Sequence, residues 1–327
     1  FIYFSKHFKP KQLAVPEILA ISDDEQFYLQ EDFGTVSLLN HLESKGFSDE
    51  VYALFKKSLE ALAFLQIKGD EGLNYADYCL TNQEFGKQAI MADLLYFKYY
   101  FLDALRKPYD KQKLIADFEA LSNYLTHTEY KYFMFRDFQS RNIMVTDDNA
   151  VHFIDYQGGM KGAPQYDVAS MLWQARANLP DEWKNNLLED YMASFEKIIG
   201  QSIDKNIFRS QYYGYVLIRL LQVLGAYGFR GLFERKAQFL TSIPLALNNL
   251  KDFLKNQSLG ISVPEFRKVL DMCLADEVIQ QFTPTQATDE TPLVVKICSF
   301  SYRKQLPEDN SGNGGGFLFD CRGILNP

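Results

Sequence analysis

Three closely spaced apolar segments constrain this chain more than any other feature. Tyr132-Phe133-Met134-Phe135 reads as a strand entering a loop, and Ile143-Met144-Val145 as a strand leaving it. Val151-His152-Phe153-Ile154 then reads as a strand that ends on Asp155. Asp147-Asp148-Asn149 supplies the turn between the last two. The loop between the first two is Arg136-Asp137-Phe138-Gln139-Ser140-Arg141-Asn142. The pattern therefore delivers a carboxylate, an amide and a second carboxylate from the ends of adjoining strands. One carboxylate, Asp137, can accept the proton of an attacking hydroxyl. The Asn142 amide and the Asp155 carboxylate can hold Mg²⁺ against nucleotide phosphates. These are the parts of a phosphoryl-transfer centre. A hairpin with chance carboxylates at its ends is the plain alternative.

At these residues the chain resembles the aminoglycoside phosphotransferase and choline kinase superfamily, the small-molecule branch of the protein-kinase-like fold. Arg136 to Asn142 and Asp155-Tyr156-Gln157 are most similar to predicted sugar kinases related to AmgK, which phosphorylate the anomeric hydroxyl of N-acetylmuramic acid and N-acetylglucosamine. The similarity continues into Gly162-Ala163-Pro164-Gln165-Tyr166-Asp167-Val168-Ala169-Ser170-Met171-Leu172. Upstream, Val15-Pro16-Glu17-Ile18-Leu19 and Tyr28-Leu29-Gln30-Glu31-Asp32-Phe33-Gly34 resemble the last small-lobe strands and the hinge. The resemblance spans residues 1–254 and implies an α+β, protein-kinase-like two-lobed fold. Its small lobe is truncated and its large lobe mostly helical.

By position, the resemblance makes Asp137 the general base and Asn142 and Asp155 the Mg²⁺ ligands. Backbone groups of Gln30, Glu31 and Asp32 would meet the adenine of ATP. Asp167 would be an acceptor bracing the catalytic loop; a helix N-terminal carboxylate favoured by the macrodipole is the other reading. Gln139 stands where many kinases place a Lys on the transferred phosphate, and Arg141 is the nearest cation to replace it. An ion pair between Arg141 and a neighbouring carboxylate is equally open. Phe135 stands where protein kinases place a His that packs into a hydrophobic column. Tyr156 and Gln157 replace Phe and Gly of the protein-kinase motif, and no Ala-Pro-Glu segment follows Asp155, which argues against a protein kinase.

The net charge of −8 gives no basic surface for nucleic acid and does not choose between cationic and neutral acceptors. Cys79, Cys273, Cys298 and Cys321 are scattered, which suits neither a zinc site nor a disulfide framework and fits a reducing cytoplasm. His7, His41, His127 and His152 all lie away from Asp137 in sequence. The longest apolar stretch, Val216 to Ala226, is interrupted by Arg219 and Gln222 and is too short to span a bilayer. The chain begins at Phe1 without a Gly-rich loop or strand Lys, and Lys6 and Lys9 fall on or just past a helix. A clipped fragment, catalytically crippled as it stands, is the expectation.

Beyond the hinge, Val51, Leu54, Phe55, Leu59 and Leu62 recur in steps of three and four from a Ser48 cap. Helices are expected over Glu84 to Leu105, Asp110 to His127, Tyr166 to Ala177, Pro180 to Ile199, Lys205 to Phe229, Arg230 to Lys255 and Val263 to Leu274. The aromatic run Tyr96-Phe97-Lys98-Tyr99-Tyr100-Phe101 is core or a sugar-stacking platform, and Trp173 and Tyr212-Tyr213 are similarly open. The kinase-like domain is read as 1–274 and a linker as 275–292. Residues 293–327 resemble the opening of the C-terminal α/β domain of the RNase adapter protein RapZ, through Leu293 to Phe300, Leu306-Pro307 and Phe317 to Arg322. In that family the domain binds small RNA and senses glucosamine 6-phosphate. Ser311 to Gly316 departs from the pattern as a Gly-rich insertion, either a flexible connection or exposed amides for a phosphate. The expected partner is a small-molecule sugar, with RNA only through this incomplete tail and no membrane; the oligomeric state stays open. Three functions compete: an amino-sugar kinase, a non-catalytic nucleotide or sugar sensor fused to an adapter, and an aminoglycoside or choline kinase.

Overall fold

The computed structural model describes residues 1–24, 26–283, 297, 298, 300, 301 and 319. The first compact unit is Phe1–Thr283. It opens with helix α1 (Ile2–Phe8) and an antiparallel pair, β1 (Ile18–Ile21) and β2 (Tyr28–Gln30), with an irregularity between Ile18 and Ala20. Ser22 closes the hairpin by donating its backbone N–H to the Phe27 carbonyl at 2.9 Å. Residues 31–37 then lead to α2 (Leu38–Lys45), where Ser37 and Asn40 form a reciprocal capping box. Ser48 caps α3 (Asp49–Asp70), and Val51, Leu54, Phe55, Leu59 and Leu62 line its buried face.

A short α4 (Tyr75–Tyr78) precedes α5 (Lys87–Phe97), and Asp110 caps α6 (Lys111–Thr126) through the N–H groups of Gln112 and Lys113. Helix was expected from Glu84, but Gln83 to Phe85 is extended. The Phe85 N–H donates to the Lys161 carbonyl at 2.7 Å and Lys161 N–H to the Gln83 carbonyl at 2.9 Å, so this segment serves a strand edge. Two antiparallel pairs follow, β3 (Tyr132–Met134) with β6 (Met160–Gly162) and β4 (Ile143–Val145) with β5 (Val151–Phe153).

The body is completed by α7 (Gln165–Leu172), α8 (Asp181–Ile199), α9 (Lys205–Gly228), α10 (Ala237–Leu240), α11 (Ile243–Asn256), α12 (Pro264–Cys273) and α13 (Asp276–Phe282). Two expectations fail here. The single helix over Arg230 to Lys255 is broken, because Arg235 takes φ 57° and Pro244 belongs in the first turn of α11. The linker does not begin at Ala275: Asp276 and Glu277 favour a helix N-terminus, and Val278 and Phe282 are buried. The residues of the expected tail strand at 293–296 and 299, and of the Gly-rich insertion at 311–316, lie outside the described residues.

α9 packs on α5, α7 and α11 and forms the spine of the core. With the π-helical turn Phe229–Phe233 it makes a segment long and apolar enough to cross a bilayer. Its neighbouring helices take up that apolar surface. The contacts with α5 and with the π-helical turn that follows it (Lys98–Leu102) depend on small residues. A Cβ on Gly228 would lie 2.2 Å from the Tyr100 carbonyl oxygen, and one on Gly225 would lie 3.0 Å from the Phe97 backbone nitrogen. In an open helix Gly→Ala is favourable by roughly 0.5–1 kcal/mol. Here the sign reverses, because the obstacle is backbone. Gly228→Ala should destabilise by about 1–3 kcal/mol, read as a lowered urea midpoint with an unchanged slope; a gain in stability would refute the close contact.

The aromatic run of α5 and the following π-helical turn (Lys98–Leu102) divides between two environments. Phe97 and Phe101 are fully buried. Tyr96 and Tyr100 are half-buried and pack edge-on with each other; Tyr100 is edge-on to Phe229 and Tyr96 is tilted against it.

Candidate active site

β3 carries the chain into the loop at Arg136, and β5 delivers it to Asp155. Both residues hold positive φ, 77° at Arg136 and 71° at Asp155. Non-glycine residues in this region cost of order 1–3 kcal/mol each and persist only where their surroundings dictate it. The restraints are visible. The backbone N–H groups of Phe135 and Arg136 donate to the Asp167 carboxylate at 2.7 and 2.9 Å, and Gln66 Nε2 donates to it at 2.9 Å. Asp167 is fully buried on the first turn of α7. Burial pushes its carboxyl up to about 6, against the lowering effect of those hydrogen bonds. Around it, Phe135 packs edge-on with Phe138, Phe153 and Tyr156. Burying each such ring is favourable by about 1.5–3 kcal/mol, which helps hold the loop closed.

The loop folds tightly. Gln139 N–H donates to the Asp137 carbonyl at 2.9 Å, and Asn142 N–H to the Gln139 carbonyl at 2.8 Å. Ile154 N–H then donates to the Asn142 carbonyl at 3.0 Å, which sets Asp155 beside Asn142. Asn142 Nδ2 donates to the Asp137 carbonyl at 3.0 Å and to Asp155 Oδ2 at 3.2 Å. Asp137, Asn142 and Asp155 are thus brought together. Among the described residues Asn142 Oδ1 accepts no hydrogen bond. That amide oxygen and the Asp155 carboxylate are hard oxygen donors of the kind Mg²⁺ takes, so the residues present fit such an ion. Gln157 Nε2 donates to Asp155 Oδ1 at 2.6 Å and orients the carboxylate. Losing a group that orients a metal ligand commonly costs about 10–100-fold in metal affinity. Gln157→Leu should weaken Mg²⁺-dependent nucleotide binding by about that factor, measured by calorimetry at varied Mg²⁺. An unchanged Mg²⁺ dependence would remove Asp155 from the metal site.

Arg141 is exposed, with Nη2 3.4 Å from Asp137 Oδ2. Arg136 turns the other way. Its guanidinium pairs with Asp93 of α5 at 3.1 Å, lies 3.4 Å from the Tyr166 hydroxyl and sits over the Phe85 ring. Burial opposes its charge, but Tyr166 and Asp93 hold its pKa above the ordinary value.

The hinge residues are only partly open to a ligand. Gln30 ends β2 opposite Ile18. Glu31 N–H donates to the Glu17 carbonyl at 2.9 Å, so that amide is not available to an adenine edge as expected. The Glu31 carboxylate accepts from Lys9 at 3.3 Å and from Glu17 N–H at 3.2 Å. Asp32 Oδ1 accepts from Gly34 N–H at 2.9 Å, and among the described residues the Asp32 backbone N–H and C=O have no partner. Beyond the hinge, Val145 N–H donates to the Val36 carbonyl at 3.0 Å, and the Phe33 and His152 rings stack with centroids 3.8 Å apart. The hinge is therefore fastened to the hairpin that delivers Asp155.

Sequence reasoning missed four partners. Arg219 of α9 reaches Asp137 Oδ1 with Nη2 at 2.8 Å. Gln174 Oε1 accepts from Ser140 N–H at 3.0 Å and Ser140 Oγ at 2.7 Å. Asp93 holds Arg136, and Gln66 holds Asp167. The signal present in the sequence was a polar residue inside an apolar helical stretch, most clearly Arg219.

A family model described as the phosphotransferase enzyme family matches residues 1–198. The fold is similar to that of a choline/ethanolamine kinase family protein from Mesorhizobium loti, at 12% identity over 83% of this chain and 81% of that one, TM-score 0.52. It is similar to an ethanolamine kinase from Plasmodium vivax at 14% identity, over 77% of this chain and 71% of that one, TM-score 0.52. It is also similar to amicoumacin kinase hAmiN, solved with AMP-PNP, Ca²⁺ and Ami, at 10% identity over 81% and 79%, TM-score 0.53. No curated protein matches the chain. The expected protein-kinase-like fold is the one observed.

Proposed function

We propose that this chain, which belongs to the phosphotransferase enzyme family, transfers the γ-phosphoryl group of ATP to a hydroxyl of a small molecule, with the anomeric hydroxyl of an N-acetylated amino sugar as acceptor. The observation that carries this reading is that Asn142 Nδ2 bonds both the Asp137 main-chain carbonyl and the Asp155 carboxylate, which gathers the three residues at the strand ends. Asp137 takes the acceptor proton as the acceptor oxygen bonds to the γ-phosphorus and the bridging bond to ADP breaks. Asn142 and Asp155 would hold Mg²⁺, which neutralises charge on the phosphates. The AMP-PNP and Ca²⁺ held by amicoumacin kinase support a nucleotide and a divalent cation in a site of this fold. Asp32, with its open backbone N–H and C=O, is the hinge residue best placed to meet adenine.

The amino sugar is favoured by the motif similarity of Arg136 to Asn142 to AmgK-related kinases. An anomeric hydroxyl is also more acidic than an ordinary alcohol, so a carboxylate suffices as base. The similarity of residues 293–327 to the RapZ C-terminal domain extends the proposal to a coupling with amino-sugar sensing. The test is a screen with ATP and Mg²⁺ against N-acetylmuramic acid, N-acetylglucosamine, choline and aminoglycosides, with mass spectrometry locating the phosphate. Phosphate on C1 of the amino sugar is expected. Phosphate on an aminoglycoside hydroxyl, with no turnover of free amino sugars, would overturn the reading.

A further inference from the structure

Two arginines hold the catalytic loop, and one buried hydroxyl lies between them. Arg136, at the mouth of the loop, pairs with Asp93 at 3.1 Å and directs Nη1 to the Tyr166 hydroxyl at 3.4 Å. Arg219, from α9, directs Nη2 to Asp137 Oδ1 at 2.8 Å and Nη1 to Gln222 at 2.7 Å, and its side chain is 9% exposed. Burial opposes the Arg219 charge, but Tyr166 and Asp137 outweigh it and hold the pKa above the ordinary value, against repulsion from Arg136. Tyr166 is fully buried on the first turn of α7. Burial pushes its own pKa up while the two guanidiniums pull it back. The hydroxyl is therefore neutral and can accept from both cations. Its ring packs edge-on against Phe85 and Tyr215, with centroids 4.9 and 6.4 Å away, so packing fixes where the oxygen sits.

We propose that Tyr166 is a positioning residue for the phosphoryl transfer: its hydroxyl, shared by Arg136 and Arg219, fixes the Arg219 fork and through it the Asp137 carboxylate. This rests on the phosphotransferase reading with Asp137 as base. Oδ1 is held by Arg219 and by Gln139 Nε2 at 2.8 Å, which leaves Oδ2 to take the acceptor proton. Tyr166 itself is too deeply buried to touch nucleotide or acceptor. Without its oxygen, two guanidiniums that repel each other share no acceptor in a place where water does not screen them. Arg219 then loses a restraint, and the base loses its fixed orientation. A misplacement of about 1 Å near a reacting group can cost about 10²-fold in rate. The neighbouring Asp167 accepts from the N–H groups of Phe135 and Arg136. One turn of α7 thus holds the loop backbone through Asp167 and the base through Tyr166.

Tyr166→Phe keeps the ring and removes only the oxygen. The full chain is assayed with ATP, Mg²⁺ and whichever of N-acetylglucosamine, choline or an aminoglycoside turns over, and kcat should fall by about 10–100-fold. The acceptor KM and the calorimetric affinity for ADP should stay at their wild-type values. In an Asp137→Asn background the same change should cost nothing further, because the carboxylate it orients is gone. A merely structural role would lower both backgrounds alike. An unchanged kcat in folded Tyr166→Phe overturns the proposal, and so does an equal loss in the two backgrounds. If thermal melts show that Tyr166→Phe does not fold, Arg219→Gln decides, since it cuts the same link from the other end. It should lower kcat alone; an unchanged kcat, or a KM change of the same size, overturns the proposal. Wild-type turnover in Asp137→Asn is a separate failure, which removes the base itself and with it the reading beneath the proposal.

Discussion

Asp137→Asn should cut turnover of the intact enzyme by about 10²–10⁴-fold, the usual contribution of a general base. The amide keeps the size of the carboxylate and can still offer its oxygen to Arg219 and Gln139, which donate to Oδ1 at 2.8 Å each. It cannot take a proton. Asn142 also bonds the Asp137 main-chain carbonyl, which the substitution leaves in place, so the Asn142–Asp155 contact should survive. Nucleotide affinity should accordingly stay close to wild type while kcat falls. Arg219 loses its carboxylate partner, so a moderate fall in melting temperature accompanies the change. Steady-state kinetics with calorimetry of nucleotide binding separate the two effects. Equal turnover in wild type and variant would sink the assignment of the base.

Asp167→Ala should be the most destabilising single change near the site, by about 3–5 kcal/mol, the cost of breaking a buried charged hydrogen-bond network. It leaves the N–H groups of Phe135 and Arg136 and the Gln66 amide without their acceptor in a place water does not reach. It also releases Arg136 from one restraint on a φ of 77°. Asp167→Asn, which keeps one acceptor oxygen, should cost less than Ala. Urea unfolding followed by far-ultraviolet circular dichroism measures both. A loss under about 1 kcal/mol for Ala would mean that the brace does not hold the loop.

The strand ends and the acids were legible because their chemistry is local. Asp137, Asn142 and Asp155 lie close in sequence, and three short apolar strands leave few ways to connect them. β3, β4 and β5 duly fall on the three apolar segments. The partners of the site were not legible, since they depend on helix register over long separations. Arg219 stands 82 residues from Asp137 in sequence, and only the packing of α9 on α5 and α7 decides which way it points. The break between Phe233 and Ala237 was hidden for a different reason. A positive φ at Arg235 is a tertiary demand on a residue with no local preference for it. Asp276–Phe282 was missed because the polar composition that follows it masked two buried apolar positions a helical turn apart.

The interlock of Gly225 with the backbone of α5, and of Gly228 with that of the π-helical turn after it, has a consequence for attempts to redesign the protein. α5 carries Asp93, which grips Arg136, and α9 carries Arg219, which grips Asp137. Six residues, or about 9 Å of helix, separate Arg219 from the first of the two glycines. The spacing between these helices therefore works like the fence of a jig. A bulkier residue at Gly225 displaces both grips together, without touching any group that handles substrate. Libraries aimed at new acceptors would do better to vary this distant joint alongside Arg219 than to sample the catalytic loop alone.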